Sequence, residues 1–344
     1  MMGEDQFRNK IYWFAFFFSL LVIWVHSANA EIYLGQMEAG WLLFAVEDFV
    51  GNVVAQISVP GFFMISSYLF YRNFSMSRLK DKWSSRIRTI LVPFILWNFL
   101  YYMGYVAASR IPGLRDVVGK GTIPFDLMTA ADAILHYTYN YVFWYLYQLI
   151  LLILLAPAIY MAVKNRILAA AAAVVLLASI AQGYRLSYLN LDALLYYGTA
   201  AYFAVHMKNG AERAWNRRRL AAGLGFIAFA ALCQILSVEG QRVLFVVLFR
   251  LFLPLGLWMA VDEAWLPSAP KWMKDTFFLY AVHFAIVRLI NKTGAVVAYG
   301  IPWVPAVLYL IMPALCVAAS AAIAAPMKKW CPALWSLLTG GRTA

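Results

Sequence analysis

The sequence predicts an all-α, polytopic integral membrane helix bundle of about ten transmembrane helices, with both termini cytoplasmic. Composition, the spacing of apolar runs and the placement of basic residues carry that expectation. Hydrophobic residues make up 64% of the 344 and charged residues 13%, where soluble domains hold about 45–50% and roughly 25%. The 17% aromatic content suits the belts that line both membrane interfaces. With about 20 residues per crossing, spans and short connections use up the length, so 1–344 reads as a single membrane-embedded domain.

Hydropathy places ten spans at roughly 11–30, 48–71, 89–109, 139–162, 167–183, 190–207, 220–238, 243–264, 276–297 and 304–326. Ala28-Asn29-Ala30 resembles a cleavage site. The bulk of the preceding run, with Trp13, Phe14, Phe16, Phe17, Phe18 and Trp24, favours a retained first helix. With the N-terminus inside, twenty of the 28 Lys and Arg residues fall on inner segments and five on outer ones. The other three, Arg250, Arg288 and Lys292, lie within spans. Cytoplasmic loops retain Lys and Arg in this way.

The net charge of +12 therefore points to membrane lipid as a partner. Nucleic acid is excluded, because the basic residues are dispersed between apolar spans instead of forming one patch. Cys233, Cys316 and Cys331 show no paired spacing, so neither a disulfide framework nor a metal site is expected. The chain has no GxSxG elbow, HExxH pair or Walker A sequence.

Polar groups inside spans are costly and usually face a cavity or a partner. His26, near the outer end of span one, can cycle a proton near neutral pH; the bland alternative is an interfacial histidine partnered by water. Asp48, Asn52 and Gln56 recur at i, i+4 and i+8 on span two. That spacing puts them on one helical face, at the expected depth of His26. Asp48 there can orient an imidazole, or the stripe can serve helix packing alone. Arg250 and Arg288 cannot deprotonate and need an anion or carbonyl dipoles, either Asp48 or a substrate oxygen. His283, in the inner half of span nine, reads as a helix contact or a substrate ligand. In the outer connection, Tyr137, Tyr139, Tyr141, Tyr145 and Tyr147 read as an interfacial belt, a platform for sugar rings, or both.

A family resemblance rests on an ordered set of landmarks. LLVIWVHS closes the first span at His26, and PGFFMISSYLFYRNF follows in the second. KWSSRIRTILVPFILWN leads into the third, VFWYLYQLILLILLAP forms the fourth, and FFLYAVHFAI carries His283. Together they resemble the acyltransferase family 3 membrane proteins, over 11–160 and 276–290. The resemblance implies about ten helices, an acyl-CoA donor presented from the cytoplasm, no permanently bound cofactor, and an essential histidine at His26. The chain departs from the family at Ala15, where an arginine is usual, at Tyr12, which stands in place of an acid, and at Ser66-Ser67 in place of Ser-Gly. Arg8 or Lys10 is placed to substitute for that arginine.

The expected function is O-acyl transfer, of acetyl or succinyl, from acyl-CoA to a hydroxyl of a cell-surface carbohydrate at the bacterial plasma membrane. His26 is the expected base and Asp48 its orienter. Asn52, Gln56, Arg250, Arg288 and His283 are expected to meet substrate. Arg72, Lys82, Arg86 and Arg88 are expected to hold the donor's phosphates. The alternatives are a transporter or flippase of a polar surface metabolite, and a non-catalytic partner in polysaccharide assembly. The topology is tested by cysteine labelling at Lys120 and Arg217, which are expected on opposite faces; labelling of both from outside would refute it.

Overall fold

The computed structural model describes residues 1–344 except Gln36, Asp116, Val117, Val118, Gln241, Thr343 and Ala344. About 80% is helical, and no strand occurs among the described residues. In chain order the helices are α1 (Glu4–His26), α2 (Ala30–Leu34), α3 (Trp41–Asn52), α4 (Ser58–Tyr71), α5 (Leu79–Arg86) and α6 (Val92–Ala108). They continue with α7 (Leu127–Leu135), α8 (Trp144–Leu154), α9 (Ala156–Val163), α10 (Arg166–Ala181) and α11 (Leu191–His206). After a single helical turn at Lys208–Ala211, the last are α12 (Arg217–Gly240), α13 (Val243–Ala260), α14 (Thr276–Ala298), α15 (Trp303–Trp330) and α16 (Pro332–Thr339).

The chain is a multi-pass membrane protein. Among the described residues seven helices are long and apolar enough to cross a membrane, and eight if the bent pair α8–α9 counts as one crossing. The pair bends by 65° at a break beside Pro157, whose ring cannot continue the ladder. The remaining two of the ten expected spans are the 16-residue helices α10 and α11. Each is shorter than the usual minimum of about 17 residues for a straight crossing.

The second expected span, Trp41–Tyr71 among the seven, is not uniform α-helix. It divides into α3 and α4 around a 3₁₀ turn at Val54–Ile57. Pro60 helps set the break, since its missing N–H is best placed in the first turn of α4. The expected polar stripe is therefore not continuous. Asn52 Nδ2 donates to Asp48 Oδ1 at 2.7 Å, and Gln56 Nε2 donates to the Gly51 carbonyl at 2.9 Å, satisfying backbone at the break.

The chain forms two compact units, each assembled from separate stretches. The first comprises Met1–Val25, Val46–Lys80 and Leu151–Thr276. Its core joins Phe14, Phe18 and Leu21 of α1 to Ala55, Ile57, Ala230, Cys233 and Phe249. Gly61 lies under the Phe18 ring, where no Cβ fits. Gly223 and Gly256 let the backbones of α12 and α13 approach closely, as small residues do in membrane helix pairs.

A charged network closes one end of this unit. Arg72 donates to Glu212 through Nε (2.8 Å) and to Glu4 through Nη2 (2.7 Å), while Tyr68 donates to Glu212 at 2.7 Å. The guanidinium's proton affinity rises accordingly, chiefly through the bond to Glu4. Lys10, fully buried, donates to the Val261 carbonyl at 2.6 Å and lies 3.7 Å from Glu263. Asn9 and Trp13 fasten the same helix to carbonyls of Leu266 and Pro267.

The second unit comprises His26–Ala45, Asp81–Ile150 and Phe277–Ala344. Its α14 is gripped from three sides. Tyr33 is fully buried over Gly294. Tyr101 donates to the Ala281 carbonyl at 2.9 Å, and Tyr280 to the Val142 carbonyl at 2.7 Å. Between α5 and α6 a π turn at Ile87–Leu91 receives the left-handed Gly340, whose missing Cβ allows contact with Thr89 backbone.

Glu212→Ala leaves the buried side of Arg72 without its partner. Removing one member of a buried pair typically costs roughly 3–5 kcal/mol. A clear fall in melting temperature of the detergent-purified protein is expected, and Glu4→Ala, at an exposed carboxylate, should cost less. Equal melting of Glu212→Ala and the parent would refute the structural role.

Candidate active site

The site in the second unit is built where α1 ends and α14 passes. His26 is the last residue of α1. Beyond it the chain turns, and two asparagines pin the turn to α14. Asn29 Nδ2 donates to Asn291 Oδ1 at 3.2 Å, and Asn291 Nδ2 donates to the Ser27 carbonyl at 3.3 Å. Asn29, Ser27 and Asn291 are all buried, so these bonds hold the end of α1 in register with α14.

That register brings two imidazoles together. The rings of His26 and His283 lie 5.4 Å apart, centre to centre. His283 was expected in the inner half of its span, away from the outer end of span one. The contact shows that the two share one level. Hydropathy marks where apolar residues are, not how deep each helix sits.

The two histidines have different environments. His283 is 1% exposed, and its Nδ1 is 2.6 Å from the Tyr280 carbonyl. A carbonyl only accepts, so Nδ1 carries the proton and Nε2 is left as a bare acceptor. Among the described residues Nε2 meets no hydrogen-bond partner. His26 is half-buried, and its Nδ1 is 2.9 Å from the Tyr141 hydroxyl. Phe284 completes the cluster, 5.6 Å from the His26 ring and 4.6 Å from Tyr141.

One turn beyond Phe284 is Arg288. Its Nη1 donates to the Tyr105 hydroxyl at 2.8 Å, and its guanidinium lies 5.6 Å from the Phe284 ring. Arg288, Lys292 and Phe284 line a cavity of about 400 Å³, walled on the other side by Trp97, Tyr101 and Tyr105 of α6. The first unit holds a cavity of about 330 Å³ lined by Phe7, Phe14, Phe18, Tyr68 and Trp258. Its lining is nearly all apolar and carries no acid–base pair.

Asp48, Asn52, Gln56 and Arg250 belong to the first unit, where Asn52 bonds Asp48 and Gln56 bonds the Gly51 carbonyl. In place of Asp48, the group on His26 Nδ1 is Tyr141. Arg250 interacts electrostatically with Asp192, and its buried Nε has no hydrogen-bond partner among the described residues. The charge of Arg72 is matched by Glu4 and Glu212. Lys82 and Arg86 lie on α5, and Arg88 in the π turn. Arg342, not singled out from sequence as a site residue, stands 4.1 Å over the Phe277 ring. Burial, with Arg86 nearby, pushes its guanidinium down to about 10, so it remains a cation at neutral pH.

Tyr141 and the asparagine clasp were not assigned to the site from sequence. Tyr141 was within reach, as one of five tyrosines flagged as a sugar platform. Asn291 also left a signal, two turns from His283 on one face of α14. Among the described residues no cluster of His, Cys, Asp or Glu could hold a metal ion.

The family of acyltransferase domains, the third acyltransferase family, matches residues 12–325, so the chain belongs to it and is an acyltransferase. Neither the curated proteins nor the solved structures contain a match to this chain.

Tyr141→Phe removes one hydrogen bond, worth about 0.5–1.5 kcal/mol, and keeps the ring packing on Phe284. The expected result is near-parental melting with acyl transfer lowered several-fold. Unchanged transfer would show that Tyr141 does not position His26.

Proposed function

We infer that this acyltransferase moves an acyl group from acyl-CoA to a hydroxyl of a cell-surface carbohydrate at the bacterial plasma membrane, with His26 as general base. The observation that carries the reading is the His26–His283 pair. One imidazole has its tautomer fixed by a carbonyl and its second nitrogen bare, and the other is half-open beside it.

His26 donates its Nδ1 proton to Tyr141 Oη, which leaves Nε2 as the basic atom. Nε2 takes the proton of the acceptor hydroxyl as its oxygen attacks the thioester carbonyl. The tetrahedral intermediate collapses by breaking the C–S bond. The imidazolium returns its proton to the leaving thiolate, so no proton is gained or lost overall. A phenol is a weaker partner than a carboxylate, so Tyr141 orients His26 more than it raises its basicity. His283 Nε2 accepts a hydrogen bond from the incoming saccharide and helps fix which hydroxyl reaches His26.

With both termini cytoplasmic, α5 and the π turn face the donor side. Lys82, Arg86 and Arg88 then take the phosphates of acyl-CoA, with Arg342 beside Arg86. Arg72 is left out of this set because two carboxylates already match its charge. The acyl group is small, acetyl or succinyl.

His26→Gln keeps most of the volume but cannot cycle a proton. It should lower acyl transfer by roughly 10²–10⁴-fold with yield and melting unchanged, measured as thiol release from acetyl-CoA and succinyl-CoA in the presence of surface glycan. His283→Gln, whose amide oxygen still accepts, should have the milder effect. Near-normal turnover of His26→Gln would refute its role as base, and a larger loss in His283→Gln would transfer that role to His283.

A further inference from the structure

The cavity beside Phe284 has a charge pattern that acid–base transfer does not require. Arg288 and Lys292 are four residues apart on α14, so both project from one face. Both line the cavity and both are half-buried. Like charges at this spacing destabilise a helix, and cations within an apolar span are costly unless an anion or cavity receives them. Among the described residues Arg288 makes no ion pair. Its hydrogen-bond partner is the neutral hydroxyl of Tyr105. A third cation adjoins the same ring, because Lys120 lies 5.7 Å from Tyr105 and 5.0 Å from Tyr139.

The opposite wall is aromatic. Trp97, Tyr101 and Tyr105 recur at i, i+4 and i+8 on α6, and at Gly104 the space is open. Flat aromatic faces stack against apolar faces of sugar rings and leave their hydroxyls free. Arg288 is five residues from His283, about 7.5 Å along the helix, which is of the order of one sugar residue. Phe284 is common to both places, touching the His26 ring and lining the cavity.

We propose that this cavity binds an anionic saccharide, with its carboxylate or phosphate held by Arg288 and Lys292 and its ring against the α6 aromatics, so that the acceptor is an acidic glycan. The assignment of this ligand as acceptor rests on the acyl-transfer reading above; the anion site itself does not. Arg288 supplies a planar fork for the oxyanion group, and Lys292 adds a point charge.

The test is isothermal titration of the full chain in phosphatidylcholine nanodiscs. The probes are a galacturonate trisaccharide, its methyl ester and inorganic phosphate. The acid should bind at least 10-fold tighter than the ester. Arg288→Gln and Lys292→Gln should each weaken the acid at least 10-fold and leave the ester unchanged. Arg288→Lys keeps the charge but not the fork and should weaken the acid less than Arg288→Gln does, and melting curves confirm that each variant is folded. Binding of phosphate that is lost in the same variants supports the site with a phosphate-bearing acceptor. Equal binding of acid and ester, or acid binding that neither variant moves, overturns the proposal. So does phosphatidylglycerol that displaces the acid and copurifies with the parent but not with Arg288→Gln, since the pair would then anchor lipid. Parental protein that binds the acid yet never consumes acyl-CoA refutes the transfer reading and leaves the anion site standing.

Discussion

The hydrogen bonds from Asn29 to Asn291 and from Asn291 to the Ser27 carbonyl fix the place where the first helix stops. The functional geometry of the second unit follows from that clasp. Backbone that leaves a helix inside an apolar environment must find partners within the protein. Here Asn291, a side chain of α14, provides one of them. His26 is thereby held at the end of α1 next to His283. A change in register by one residue would turn either imidazole by about 100° around its helix and separate them.

The same requirement explains polar groups that do no chemistry. Lys10, Arg72, Glu212 and Arg219 lie within or beside apolar helices, and each is paired or bonded to carbonyls. Arg219 donates to the carbonyls of Gly210 and Ala211. Lys10 has Val261 and Glu263. These groups tie helix ends together in the first unit. In the second unit, His283 Nε2 has no hydrogen-bond partner among the described residues, and Arg288 donates to the neutral Tyr105 hydroxyl.

Aromatic residues connect His26 to the cavity. Tyr141 bonds His26, Phe284 touches both rings, and Tyr105 receives Arg288. A chain of such contacts suits the proposed transfer, in which one hydroxyl among several must reach His26. The α6 aromatics are anchored in turn: Trp97 donates to the Leu338 carbonyl at 2.9 Å, and Phe278 packs 4.8 Å from Trp335. The short C-terminal helix α16 thus supports the cavity wall.

By itself the sequence determined the membrane class, the helical fold, the family, and His26, His283 and Arg288 as polar residues inside spans. Each of these follows from composition, from runs of about 20 apolar residues, or from landmarks whose order survives without coordinates. Only the tertiary structure decided which polar residues meet. Gln56 looked like a continuation of the Asp48–Asn52 face because spacing assumes an unbroken α-helix, and the 3₁₀ turn at Val54–Ile57 takes it out of that register. Arg72 looked available for phosphate because its partners, Glu4 and Glu212, are 68 and 140 residues away in sequence. Tyr141 and His26 are 115 residues apart, and no local pattern encodes such a contact. Periodicity reports which face of a helix a residue occupies; what that face meets depends on helix ends, breaks and tilts, which packing alone sets.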